Sequence, residues 1–169
     1  DYGGLVFDTA PGDGVRITAD LTMENGGWGI HVDNDVDEGS VLTVEGNEVT
    51  NNGLSGIFIR DINEGASAVI GGEPNTISNN GAHGIAVGRD DYGVRNGSSL
   101  SIADNEIVGN TEDGVHLHKV ESGSDALIDA NNVTGNGGNG LWLCGEANTI
   151  KDSEAAVHAN AIDANGDWG

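Results

Sequence analysis

The stretch "NEVTNNGLSGIFI", residues 47–59, recurs along the chain, and that recurrence limits the fold more than any other feature. Related stretches are "NTISNNGAHGIAV" from Asn75, "NEIVGNTEDGVHL" from Asn105, "NNVTGNGGNGLWL" from Asn131 and "NAIDANGDWG" from Asn160. A looser copy, "DLTMENGGWGIHV", begins at Asp20. The glycine that opens each apolar run stands at Gly4, Gly29, Gly56, Gly84, Gly114, Gly140 and Gly169, 25 to 30 residues apart. Self-similarity at such a period means a solenoid, a propeller or an array, whose units bury a core only by stacking on one another.

Segment length chooses among these. Each unit holds three short strand-like runs, for example "SVLTVE", "NEV" and "GIFI". None is long enough for a propeller blade, and no unit carries the ten or more periodic residues that a helix needs. Inward positions are mainly Ile and Val, which disfavours a leucine-rich repeat. The predicted fold is all-β: a right-handed parallel β-helix of about six coils, with three short parallel sheets and uncapped ends. Equivalent strands then stack at about 4.8 Å per coil, and the crossover rule sets the hand. Residues 1–169 read as one β-helix domain, and as a piece of a longer one, since "GLVFD" enters in mid-coil and "NGDWG" stops where the next run is due.

The repeat also assigns directions. Ile57 and Ile59 are expected to point inward and Phe58 outward. Val49, Ile77, Ile107, Val133 and Ile162 should fill one interior column. Ile17, Val44, Ile102, Ile128 and Val157, each three residues ahead of a leading Asn or Asp, should fill another. In the copy at Asn75, Gly72 holds that slot and Ile70 is expected to substitute. The glycines mark a corner that demands positive φ or the absence of a side chain. Asn52, Asn80, Asn110, Asn136 and Asn165 belong to a turn, where Asn tolerates left-handed backbone and stacked amides can bond as a ladder.

The unit N-x-[IV]-x-x-N-x-x-x-G-[IVL]-x-[IVL] resembles the right-handed parallel β-helix repeat of the pectin-lyase-like superfamily. It is most similar to the NosD-type and the carbohydrate-binding or sugar-hydrolase β-helix domains, and the resemblance covers essentially the whole chain. It implies the fold directly and function only broadly, because the superfamily includes lyases, glycosidases, epimerases, viral tailspikes, adhesins and non-enzymatic surface proteins.

Charge narrows the setting. Twenty-eight acidic residues face six basic ones, for a formal charge of −22, and Lys119 and Lys151 are the only lysines. Such a surface repels nucleic acid and anionic membranes. Acidic, lysine-poor chains resemble proteins of extreme halophiles, where salt screens self-repulsion. No run approaches 18 apolar residues, so no membrane insertion is expected. Cys144 is the single cysteine, which excludes an intrachain disulfide. The expected location is extracellular or the cell surface.

Function must come from outward positions. On the "GIxI" strands these form two columns: Val6, His31, Phe58, Ala86, His116, Trp142, and Asp8, Asp33, Arg60, Gly88, His118, Cys144. Aromatic faces stack on sugar rings, and cations and carboxylates hydrogen-bond hydroxyls or uronates. His31, Phe58, Arg60, His116 and Trp142 are therefore predicted to bind a polysaccharide or surface glycan, with a notch over Ala86 and Gly88 between Arg60 and the His116/His118 pair. The bland reading is that the rings pack under overhanging turns.

A polysaccharide lyase, C5-epimerase or glycoside hydrolase is the alternative. Arg60 or Arg89 would neutralise a uronate, and His116, His118 or Tyr92 would act as base. Hydrolysis would use Asp90 and Asp91, beside Asp61. Against this, polygalacturonase-like enzymes carry Asn-Thr-Asp, Asp-Asp, Gly-His-Gly and Arg-Ile-Lys on successive coils, and only Asp90-Asp91 matches. The Asp-Pro-His-Asp motif of mannuronan epimerases is missing. A third possibility is a structural rod that associates end to end or continues the same β-helix. Finally, "DNDVDEG" sets Asp33, Asp35 and Asp37 at alternate positions, like the start of a calcium loop, though Glu38 holds the glycine position. His116-x-His118 has no evident third zinc ligand.

Overall fold

Strands form where β-branched residues alternate with polar ones, and they stop at Asn- and Gly-rich corners. The computed structural model describes residues 4–18, 21–143 and 150–167. Three six-stranded parallel sheets result. The first contains Leu5–Phe7, Ile30–Val36, Ile57–Ile62, Ile85–Val87, Val115–Leu117 and Leu141–Leu143. The second contains Gly14–Thr18, Val41–Glu45, Ser67–Ile70, Ser99–Ala103, Asp125–Asp129 and Glu154–His158. The third contains Leu21–Met23, Glu48–Thr50, Thr76–Ser78, Glu106–Val108, Asn132–Thr134 and Ala161–Asp163. The chain visits the sheets in turn, so every strand pairs with its equivalent one coil away. This is a parallel β-helix of six coils. Among the described residues there is no helix.

Period-2 alternation puts one face of each strand inside. Ile57, Ile59, Leu42, Val44, Val49, Ile77, Ile107 and Val133 are all fully buried. Val49, Ile77, Ile107, Val133 and Ile162 are register partners, as the repeat predicts. Ile70 pairs with Val44 and Ile102, so it does substitute in the irregular copy. The extra residues there are absorbed by Gly71 and Gly72, both at positive φ.

Two asparagine ladders close the corners. In one, Asn47, Asn75, Asn105, Asn131 and Asn160 are linked amide to amide at 2.7–3.0 Å. In the other, Asn25, Asn52, Asn80, Asn110, Asn136 and Asn165 are linked at 2.8–3.0 Å. Each inner rung is satisfied on both sides. Asn80 Nδ2 donates to Asn110 Oδ1 and to the Val49 carbonyl, while its Oδ1 accepts the backbone N–H and Nδ2 of Asn52. Buried amides are tolerable only when paired in this way.

The turn chemistry differs from expectation in one respect. The left-handed residue is not the ladder asparagine but the one before it: Glu24, Asn51, Asn79, Gly109, Gly135 and Ala164 all have positive φ. Gly29, Gly56, Gly84, Gly114 and Gly140 satisfy the second of the two predicted demands, while Gly4 also has φ +93°. A Cβ on Gly84 would lie 2.5 Å from Ile107 Cγ2, 2.7 Å from the Gly114 carbonyl oxygen and 2.9 Å from Asn110 Nδ2. Close approach to the next coil, rather than unusual φ, excludes a side chain there. Asp20 and Gly169 of the repeat lie outside the described residues.

Candidate functional site

The outward face of the first sheet carries the side chains that the repeat leaves free to vary. Val6, His31, Phe58, Ala86, His116 and Trp142 are successive register partners, so the predicted column exists. A second column, which the strand rule does not reach, stands beside it. It consists of the residues that precede the corner glycines: Trp28, Ser55, His83, Asp113 and Asn139. Gly56 N–H bonds the His83 carbonyl, Gly84 N–H that of Asp113, and Gly114 N–H that of Asn139, which holds this column in register.

Together the two columns build two groups of rings. Trp28 lies 4.2 Å from His31 and 5.6 Å from Phe58, centroid to centroid. Three coils further on, His116 stacks on Trp142 at 4.1 Å and 19°, and meets His83 at 4.3 Å. Between the groups the columns narrow to Ser55 and Ala86, and a notch of about 350 Å³ opens. Its lining includes Phe58, Ala86, Gly88, Arg89, Asp90 and His116.

A turn after Ile85–Val87 supplies the polar rim. Gly88 has φ +83°, and a Cβ there would fall 2.4 Å from the Tyr92 carbonyl oxygen. Tyr92 N–H bonds the Arg89 carbonyl, which tightens the turn. His118 Nε2 lies 2.6 Å from the Asp90 carbonyl oxygen and pins it from the next coil. The turn carries Arg89 over the face, with its guanidinium 5.7 Å from the Phe58 ring. His118 thus positions a turn.

Several predicted residues lie elsewhere. Arg60 does not line the notch: its guanidinium sits 4.1 Å over the Tyr92 ring and Nη1 donates to Asn34 at 3.4 Å. Tyr92 is held between Arg60 and Arg95, away from the notch lining. Asp91 is exposed and outside it too, whereas Asp90 lines it. Asp61 is fully buried, accepting from Arg95 Nε at 2.9 Å and from Gly93 N–H at 3.0 Å. Asp61, Asp90 and Asp91 therefore do not gather their carboxylates in one group among the described residues. The hydrogen bonds that Arg95 donates to Asp61 raise the Arg95 pKa further, against the opposing effect of burial.

Asp33, Asp35 and Asp37 also fail to converge. A register shift between Val32 and Asp35 interrupts the strand that carries them. Asp33 lies 3.6 Å from His31 Nε2, and Asp37 spends its backbone N–H on Thr9 Oγ1. Burial and then the nearby Asp61 raise the Asp35 pKa, with Arg60 opposing. Among the described residues, one group of three or more His, Cys, Asp or Glu side chains gathers its donor atoms closely: His83, Asp113 and His116, all within 4.8 Å of one another. His116 therefore finds its partners in Asp113 on its own coil and His83 on the preceding one rather than in His118. Cys144 lies outside the described residues.

The electrostatics of this group follow from its contacts. Burial, then His116, lowers the His83 pKa, against Glu112 and Asp113. Burial raises that of Asp113, but bonds from His116 and from the backbone and side chain of Asn139 outweigh it, and the net shift is downward. Burial also lowers the His31 pKa, with Asp33 opposing. At neutral pH the face thus presents neutral His31 and His83 rings, an anchored carboxylate and the Arg89 cation.

Stacked parallel strands, corner ladders and a variable outer face are the marks of a β-solenoid. The profile described as "Right handed beta helix region" matches residues 12–167, and the chain belongs to that family. Neither the search of curated proteins nor the search of solved structures returned a match.

Proposed function

We propose that this β-helix is a recognition module for polysaccharide, acting outside the cell or at its surface, with the notched face of the first sheet as its binding surface. The observation that carries the reading is the notch itself, a gap between two ring groups, floored by Ala86 and rimmed by Arg89 and Asp90. Half-buried Trp142 and the indole of Trp28 offer faces for pyranose rings, and Arg89 offers a fork for a carboxylate or paired hydroxyls. The charge of −22 disfavours an extended anionic surface and leaves neutral sugars, or a uronate met at Arg89, as the better ligands.

A glycan array probed in molar NaCl tests this, with hits retitrated against Trp142→Ala and Arg89→Ala and assayed for new reducing or unsaturated ends. Saturable binding weakened at least tenfold by either variant is expected. Absence of any hit, or hits indifferent to both variants, overturns the reading and leaves the rod as the better account. A second reading, turnover of the bound polymer, is favoured by one observation. Asp113 Oδ2 lies 2.8 Å from His116 Nδ1 at the notch, which holds that imidazole as a base or acid would be held. New chain ends lost in His116→Ala would establish it.

The acidic composition further supports a halophilic setting. Thermal melts should then rise in temperature from dilute buffer to molar NaCl, since screening relieves self-repulsion. A melting temperature that is flat or falling with salt would remove that proposal.

A further inference from the structure

We propose that His83, Asp113 and His116 bind one divalent transition-metal ion of the zinc class at the edge of the notch. Two imidazoles and a carboxylate are the donor set that zinc and its neighbours prefer, and one that calcium and magnesium do not. The three donors already converge. Asp113 Oδ2 is 2.8 Å from His116 Nδ1 and 3.4 Å from His83 Nδ1. A tetrahedral ion with ligands at about 2.1 Å sets its donors about 3.4 Å apart, so modest opening of one contact admits the ion.

The surroundings match what such a site requires beyond its ligands. Asn139 N–H and Nδ2 both donate to Asp113 Oδ1 at 2.8 Å, which turns Oδ2 towards the histidines. His83 Nε2 lies 3.1 Å from Glu112 Oε2, so that with Nδ1 on the ion the other ring nitrogen has its carboxylate partner in place. His83 and Asp113 are locked to adjacent coils by the corner hydrogen bonds, and His116 sits on a strand. One contact opposes binding: the Asp113 N–H donates to His83 Nδ1 at 3.2 Å, and the ion takes that lone pair instead. Three protein ligands leave a position for water or for an oxygen donor held in the notch. Neither the donor set nor its geometry depends on the glycan reading.

The test is titration of the purified chain with CoCl₂ and then ZnCl₂, in molar NaCl with excess MgCl₂ to occupy the carboxylate surface. The expected result is one cobalt ion per chain, with visible d–d absorption that zinc abolishes and with quenching of Trp142, whose ring stacks on His116. His83→Ala and His116→Ala should each weaken binding at least tenfold, and zinc should raise the melting temperature of the wild type but not of these variants. Trp142→Phe should lose most of the quenching while keeping the absorption. Metal-free melts of the two histidine variants close to wild type show that the fold is kept. Saturable binding that persists unchanged in both histidine variants, or wild-type uptake no different from theirs, overturns the proposal.

Discussion

The asparagine corners and the outer face of the first sheet obey opposite rules. Asn52, Asn80, Asn110 and Asn136 are the same residue in the same conformation with the same partners, coil after coil. On the face, register partners run Val6, His31, Phe58, Ala86, His116, Trp142, and no two neighbours match. The physical reason is self-complementarity. A buried primary amide both donates and accepts, so its best partner one coil away is another amide, and any departure strands two polar groups. A side chain pointing outward has no copy of itself to satisfy. Uniformity marks what holds the coils together, and variety marks the positions that coil stacking leaves free.

The sharpest break of that contrast is Asn80→Ala. It strands the Asn52 amide and the Val49 carbonyl inside the structure, at a cost of about 1–3 kcal/mol for each group left unpaired. Urea unfolding should show a loss of at least about 3 kcal/mol, and a loss below about 1 kcal/mol would mean that water or rearrangement replaces the rung. Next comes Gly84→Ala. Its Cβ meets the Gly114 carbonyl at 2.7 Å as well as Ile107, so no side-chain rotation relieves it, and about 1–3 kcal/mol should be lost. A neutral result would show that the coil spacing adjusts.

Trp142→Ala sharpens the other half. Its stability effect should stay near 1 kcal/mol, since the ring is half-buried and its ring partner among the described residues is His116. Its effect on glycan affinity should exceed tenfold. If the melt moves more than the affinity, the ring is packing rather than a platform.

The fold was legible because the repeat is built from packing constraints that each act on one residue type: β-branched residues inside, Gly where coils touch, Asn where amides stack. Even the Ile70 substitution could be read. The site was legible only in part. The strand rule puts His31, Phe58, Ala86, His116 and Trp142 in one outward column, as the register shows, but it does not reveal that His31 and Phe58 are buried under their neighbours. It is also silent at the corner, so the column of Trp28, Ser55, His83, Asp113 and Asn139 cannot be read from it. A signal was present, namely the residue before each corner glycine. Arg60 was placed in the notch by its column, yet Asn34 and the Tyr92 ring draw it away, and Arg89 enters from a turn whose path depends on Gly88 and His118. Tertiary capture of long side chains of this kind leaves no trace in spacing. The register shift between Val32 and Asp35 likewise interrupts the alternation that sets Asp33, Asp35 and Asp37 on one side of a strand.

The smallest expected effect is on pH. His31 and His83 both have folded pKa values below the ordinary histidine value of 6.5, chiefly through burial. The unfolded chain therefore takes up their protons first, and stability is lost as the pH falls from 6.5 through the folded values. His83→Gln should flatten part of that slope in melts between pH 7 and about 5. An unchanged slope would locate the dependence in the carboxylates.

One paired measurement bears most directly on a function confined to this face: the affinity and melting temperature of Ala86→Phe beside those of Ser101→Phe. Ala86 floors the notch, while Ser101 points outward from the second sheet. Filling the notch should abolish binding of an array-selected oligosaccharide, with the control retaining it and both variants melting near wild type. Equal affinity in the two variants would contradict recognition at the notch.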